Sequence, residues 1–337
     1  MRSILLLFAA LLILAGPRAI FADNGYHIIN RYPIGGEGGY DMLCVDSAAR
    51  RIYVSHATRV EVLDADTGKK VGEVAPGNGV HGIAVAPEFN HGFVSNGRDN
   101  TVTMFDLKTL QVLKVIPSKG KKPDALDYDP DTKQVFVCNG SGSVDVIDPA
   151  AGEVKANIEL GGGLEQLAFD GRGRLFVNVE DKSVIHVVDT HSLEKKATWS
   201  LAPGEGPTGL AIDRVHHRLF SACANEKFIV LDSDTGKVIA TEASGADPDG
   251  AGFEPATGRA FSSSRGGTLT VVQEESPDKF SVLQNVTTQY GARTLALDEK
   301  TGRIFLPTAE FGPAPADGSS RRRPILPGTF TVLVVGP

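Results

Sequence analysis

One pattern constrains this chain more than any other: an aromatic residue opening a short quartet returns seven times at nearly constant spacing. The quartets read "YVSH" at Tyr53, "FVSN" at Phe93, "FVCN" at Phe136, "FVNV" at Phe176, "FSAC" at Phe220, "FSSS" at Phe261 and "FLPT" at Phe305. Successive aromatics lie 40, 43, 40, 44, 41 and 44 residues apart. Before each comes an apolar run such as "GIAVAP", "GLAIDR" or "TLALDE", then a polar turn; after most comes another run, such as "TVTMFD" or "KFIVLD". The runs are short, often alternate and are rich in Val, Ile and Phe, so they read as strands. A weaker fourth run, such as "KKVGEVAP" or "KVIATEAS", completes each unit. Four strands in a repeat of about 40–45 residues is the pattern of a β-propeller blade.

A second recurrence raises a competing possibility. "VLDADTGKK" at Val62–Lys70 returns as "VLDSDTGKV" at Val230–Val238. Two Asp-Thr-Gly loops in one chain are also the mark of a pepsin-like protease. Between them, however, weaker copies occupy the intermediate positions, at Asp106 in "MFDLKTLQ", Asp148 in "VIDPAAGE" and Asp189 in "VVDTHSLE". The tripeptide is therefore the strong form of a turn present in every unit. In that turn Asp accepts backbone N–H bonds and Gly supplies positive φ. A protease would need its two carboxylates shielded together to share a proton. Asp66 and Asp234 instead sit among Asp64 and Lys69, and Asp232 and Lys237, in turns that read as solvated. The same loops lack the downstream bidentate acid of a calcium loop.

Seven aromatics predict seven blades. The second and third strands of the last are split by "EFGPAPADGSSRRRPILPG", and its third strand is the terminal "TFTVLVVG", with no fourth after it. "YHIINRYPI", Tyr26–Ile34, precedes the first blade and resembles a fourth strand. Pairing it with the terminal strand closes the ring and hides both edges. The expected fold is all-β: a seven-bladed β-propeller of four-stranded antiparallel blades, one domain over 24–337, its last blade closed by the N-terminal strand. Residues 1–22 are read as a signal peptide. Arg2 precedes the apolar "ILLLFAALLILAG", and "AIFA" ends at Ala22 as a cleavage point. A periplasmic or secreted protein is expected, with no membrane association after cleavage.

Charge and cysteine content narrow the partners. The formal charge is −7, and it becomes two units more negative when Arg2 and Arg18 leave with the leader. Such a chain has little long-range attraction for nucleic acid or anionic lipid. Cys44, Cys138 and Cys223 are odd in number and far apart, so they read as buried small apolar residues rather than a disulfide framework. No C-x-x-C-H is present, which excludes c-type haem. His216-His217 reads as a solvated hairpin turn, and "SSRRRP", Ser319–Pro324, as a basic patch on a mobile loop.

An aromatic-Val-Ser-Asn quartet in a 42-residue frame, followed by a strand ending in Asp-x-x-Thr-Gly, resembles the YVTN-repeat propellers of the YncE-like family. The resemblance spans the whole mature chain. It is good in blades one to three, looser in four and five, and degenerate in six and seven, where Ser264 and Thr308 stand in the Asn position. It implies an exported seven-bladed propeller and no particular reaction, because fold alone does not fix function.

In such a ring the start of each innermost strand opens on one face of the central channel. Aligning the repeats puts Asp41, His81, Asp124, Glu165, Thr208, Asp249 and Arg293 there, one per blade. The ends of the second strands open on the same face, giving a second ring of His56, Asn96, Asn139, Asn178, Cys223, Ser264 and Thr308, with Arg98, Glu180, Asn225 and Arg265 just beyond. Both rings are expected to form a polar mouth for a small polar ligand, a protein partner or a divalent cation. Asp41, Asp124, Glu165 and Asp249 are the candidate metal ligands. Hard oxygens would favour calcium or magnesium, and His81 would admit zinc or iron. A monomeric binding scaffold is the first expectation. The alternative is a lactonase-like or quinoprotein-like enzyme in which the carboxylates hold a cation that activates water.

Overall fold

The computed structural model describes residues 25–314 and 323–337. The expected signal peptide, 1–22, and most of "SSRRRP" lie outside the described residues; Arg323 and Pro324 lie within them. The described chain forms seven four-stranded antiparallel sheets, each a simple meander. The first blade runs through Leu43–Asp46, Arg51–His56, Arg59–Asp64 and Lys70–Val74. The seventh combines Ala296–Asp298, Arg303–Thr308 and Thr331–Gly336 with His27–Pro33 from the start of the chain. His27–Pro33 pairs antiparallel with Thr331–Gly336, with Arg31 opposite Leu333 and Tyr32 opposite Val332. No edge of the terminal strand is left open, as the repeat count requires.

Burial explains why three strands of each unit were clear in the sequence and the fourth was weak. The two middle strands are covered on both faces by neighbouring blades, so they read as nearly continuous apolar runs. Arg51–His56 is buried from its second residue on, whereas Lys70–Val74 is mostly exposed. All seven marker aromatics, from Tyr53 to Phe305, are fully buried. They fill the spaces between sheets: Phe136 meets Phe169 of the next blade edge-on at 5.3 Å, and Phe220 stacks on Phe253 at 5.1 Å. The core is thus a ring of inter-blade wedges rather than one central mass.

The Asp-Thr-Gly turns do structural work. Asp64 Oδ1 accepts hydrogen bonds from the Thr67 N–H at 2.8 Å, the Thr67 hydroxyl at 2.7 Å and the Asp66 N–H at 3.2 Å. Asp232 repeats this with Thr235, while Asp106, Asp148 and Asp189 make the same backbone bonds in the intermediate blades. Gly68 and Gly236 have φ of 69° and 74°. A Cβ there would also strike the Tyr32 and Trp199 rings, each within 2.2 Å, so these turns double as seats for an aromatic of the preceding blade. Asp66 pairs with Arg50 in blade one, and Asp234 with Arg174 and His217 at the fifth. The two carboxylates serve separate turns, which disposes of the paired-acid protease.

The wedge packing sets a measurable cost. Phe136→Ala should lower unfolding stability by about 3–5 kcal/mol, whereas Asp64→Ala, at an exposed turn, should cost only about 1 kcal/mol. Chemical denaturation of the two variants checks the ranking.

Candidate functional site

Strand direction places the first expected ring. His81, Asp124, Glu165, Thr208 and Asp249 each occupy the second position of an innermost strand, and Asp41 and Arg293 lie just before the corresponding strands of blades one and seven. Five of the seven touch. Arg293 Nη2 donates to Asp41 Oδ1 at 2.7 Å, and its Nη1 contacts Asp249 Oδ2. His81 Nδ1 lies 2.5 Å from Asp41 Oδ2 and 3.8 Å from Asp124 Oδ1. A chain of charge therefore runs from blade six through seven and one to three. Thr208 is different: its hydroxyl donates to Pro248 O at 2.8 Å and ties blade five to blade six.

The charges are unevenly shared. Burial opposes ionisation of Asp41, but Arg293 and the His81 hydrogen bond outweigh it and hold its carboxyl below the usual range. His81 is raised, first by that hydrogen bond to Asp41. Burial also raises Asp249, against the pull of Arg293. Asp124 is pushed up to about 7 by burial and then by the facing Asp41 charge. Glu165 is pushed up to about 9 by burial, with Asp124, Asp249 and Glu180 adding repulsion. So Asp41 is compensated by Arg293 and His81, Asp249 only in part, and the carboxylates on blades three and four are raised furthest.

The second ring does not line the mouth. His56, Asn96, Asn139, Asn178, Cys223, Ser264 and Thr308 are all completely buried. Their side chains turn back into the blades, where the second strand is sandwiched between its neighbours. His56 Nδ1 contacts Glu61 at 3.3 Å, and Asn96 Nδ2 donates to the Thr101 and Thr103 hydroxyls. Asn139 bonds Ser118 and Ser143. Asn178 Nδ2 donates to the Thr208 and Gly209 carbonyls of the next blade. Most of these bonds serve buried polar groups between strands, and none of the seven is exposed at the expected mouth. Arg98 and Arg265, one turn further out, line cavities there.

Around the mouth the structure adds residues that periodicity could not supply. A cavity of about 470 Å³ is lined by Tyr40, Arg265, Tyr290, Arg293, Phe311 and Arg323, among others. A neighbouring one of about 410 Å³ shares Tyr40 and Arg293 and adds His81 and Arg98. Arg265 Nε lies 2.5 Å from Asp247 Oδ2, and the Arg323 guanidinium sits 5.2 Å over the Tyr290 ring. Phe311 and Arg323 come from the insertion in blade seven, whose flanks pair through the Phe311–Ile325 bridge and the Gly312 N–H to Pro324 O bond. Below the mouth, Gln166 joins blade four to its neighbours, donating to Asp249 O at 3.0 Å and accepting from the Leu210 N–H at 3.1 Å. The only sequence signal for these was position: Tyr40 precedes Asp41, and Gln166 follows Glu165.

The architecture is that of a seven-bladed β-propeller with a polar channel mouth. Residues 45–170, covering the first three blades and the start of the fourth, match the model of the YNCE-like beta-propeller family. The full ring of seven four-stranded blades agrees with that partial match. Among solved structures, "Kuenenia stuttgartiensis Hydrazine Synthase" is similar in fold, with a TM-score of 0.67 at 18% identity over 80% of this chain and 92% of that one. No curated relative matches the chain. No described helix is long and apolar enough to cross a membrane.

The mouth gives stability a defined pH dependence. Asp124 and Glu165 keep protons in the folded chain at pH values where the unfolded chain has lost them. Linkage then makes stability fall as pH rises from about 4 to about 9. His81 acts in the same sense, because its raised affinity for a proton supports folding below its unfolded value and is lost as pH rises further. Thermal melts at pH 6 and pH 9 should show the drop, and a D124N/E165Q double variant should flatten it. An unchanged slope in that variant would remove these two acids as its source.

Proposed function

We propose that this protein is an exported, non-enzymatic binding protein whose channel mouth takes a small polar ligand bearing a cationic group. One observation carries it: Asp124 and Glu165 face the axis with no guanidinium or ammonium in contact among the described residues. Among the described residues the ion-pair contact of Asp124 is with His81 at 3.8 Å, and Glu165 is surrounded by other acids. Burial, and then repulsion between the acids, keeps both protonated; a bound cation would offset both, so their raised proton affinity and the site's affinity for a cation have the same cause. The arginine-lined and aromatic-lined cavity that shares Arg293 with the mouth suits an anionic or aromatic remainder of the same molecule. The apolar leader supports export, and N-terminal sequencing of the mature chain should begin at Asp23.

A second reading has one observation in its favour. Asp41, His81 and Asp124 offer ligand atoms within 4.8 Å of one another, which a divalent cation could bridge. A metal-dependent, lactonase-like reaction would then be open to the site. Both Asp41 oxygens are already engaged, by Arg293 and by His81, and Arg293 also engages Asp249. Of the four expected metal ligands, that leaves Asp124 and Glu165 free to take a new partner, and two acids suit an organic ammonium better than a metal needing four or more donors.

Calorimetric screening of the mature chain with diamines, betaines, free amino acids and CaCl₂ separates the two. A saturable response to an organic cation, strengthening from pH 6 to pH 9 with proton release and lost at least tenfold in D124N/E165Q, is the expected result. A response to CaCl₂ alone would favour the metal reading, and ligand binding unaltered in the double variant would place the site elsewhere.

A further inference from the structure

The face opposite the mouth holds a second cluster of ionisable groups, at the junction of blades five and six. Asp213 ends the innermost strand Pro207–Asp213, and His216 lies in the turn that follows. Glu274 lies near the end of Thr268–Ser276, the third strand of the next blade. First and third strands run the same way, so both ends emerge on this face. The Asp213 and Glu274 side chains are only 2% and 3% exposed, while that of His216 is 46% exposed. His216 was expected to be a solvated turn residue. Its outer edge is indeed open, but Nδ1 points inward and lies 2.8 Å from both Asp213 Oδ2 and Glu274 Oε1.

That arrangement is incomplete as it stands. One ring nitrogen carries at most one hydrogen, so it can satisfy only one of two carboxylates. Apart from the His216 contact at Oε1 and the facing Asp213 carboxyl, the buried Glu274 oxygens have no hydrogen-bond donor among the described residues. Asp213 is better served, accepting from the Val215 and His216 N–H groups at 2.8 and 3.1 Å. Nearby Arg218 is committed outward, to Asp232 at 2.9 Å, Asp278 at 3.2 Å and the Pro277 carbonyl. Burial and the Asp213 charge push Glu274 up to about 7. Two buried acids thus share half of one imidazole.

We propose that Asp213, His216 and Glu274 form a binding site for a first-row divalent metal ion, of the zinc or manganese kind. One imidazole nitrogen and two carboxylate oxygens, all within 4.8 Å of one another, make a mixed N/O donor set of the type these ions take. Contacts of 2.8 Å between donors are up to several tenths of an ångström shorter than ligand edges around an ion whose bonds are about 2.0–2.2 Å, so binding needs only a small outward shift of the three side chains. A dication neutralises the two acids, takes the lone pair of a neutral imidazole and gives Glu274 a positive partner. The exposed side of His216 is the entry path, and water completes the coordination there. The nitrogen donor disfavours calcium and magnesium, which prefer oxygen alone. This site is independent of the mouth and uses none of its residues.

The test uses the whole mature chain, stripped with chelator and titrated calorimetrically with ZnCl₂ and, separately, MnCl₂. Wild type and D124N/E165Q should each bind one equivalent that raises the melting temperature. H216A and E274Q should lose that equivalent or bind it more than about tenfold more weakly. His216 is exposed, so H216A keeps the comparison readable should E274Q fail to fold. Equal stoichiometry and affinity in wild type and H216A would overturn the site. So would loss of the metal in D124N/E165Q with retention in H216A, or no binding of either ion at millimolar concentration.

Discussion

Burial between blades is the constraint on which everything else in this molecule rests. A four-stranded sheet whose middle strands are apolar on both faces cannot stand alone in water, so each must be sandwiched by two others. Only a closed ring gives every sheet two neighbours. The last neighbour is supplied by His27–Pro33, drawn from the far end of the chain. Tyr32 extends that closure beyond its own sheet. Its hydroxyl donates to the Ala65 and Asp66 carbonyls, and its ring rests on Gly68 of blade one. The seam is therefore fastened on both sides, by a hydrogen-bonded ladder and by an aromatic seated on a glycine turn.

Closure also explains why chemistry collects at the two ends of the channel. Every innermost strand begins on one face and ends on the other, so polar residues at equivalent positions of seven repeats converge whether or not they attract. At the mouth that convergence brings four carboxylates around a single guanidinium and one imidazole. Arg293 can face two blades at once; it pairs with both Asp41 and Asp249, and holds Asp41 below the usual range while Asp249 stays raised. Asp124 and Glu165 lie beyond its reach, and the low dielectric of the channel makes their repulsion expensive. At the opposite end the same logic gathers Asp213 and Glu274 from adjacent blades under one histidine. In both places acids from neighbouring blades converge with less positive charge than negative.

Much of this was legible in the residues, for identifiable reasons. The seven aromatics announced the blades because each fills the same wedge. The Asp turns announced the hairpins because five of them use the same Oδ1 bonds. The first mouth ring followed because a repeat alignment fixes which end of a strand a residue occupies. The second ring misled because alignment does not say which way a side chain turns. Asn96, Asn139 and Asn178 lie at the correct end but fold back to satisfy buried polar groups. His216 misled for the converse reason. Its polar turn sits against Glu274, a neighbour 58 positions away that no local pattern connects to it.

By itself, then, the sequence determined the number of blades, their strand order and the seam, since these follow from periodicity and from the need to bury apolar runs. Tertiary structure alone decided which carboxylates are paired, which asparagines are hidden, and that Phe311 and Arg323 of an aperiodic insertion close over the mouth. Those outcomes depend on distances between side chains of different blades. A one-dimensional repeat encodes the position of each blade in the ring, but not the direction in which its side chains meet the next.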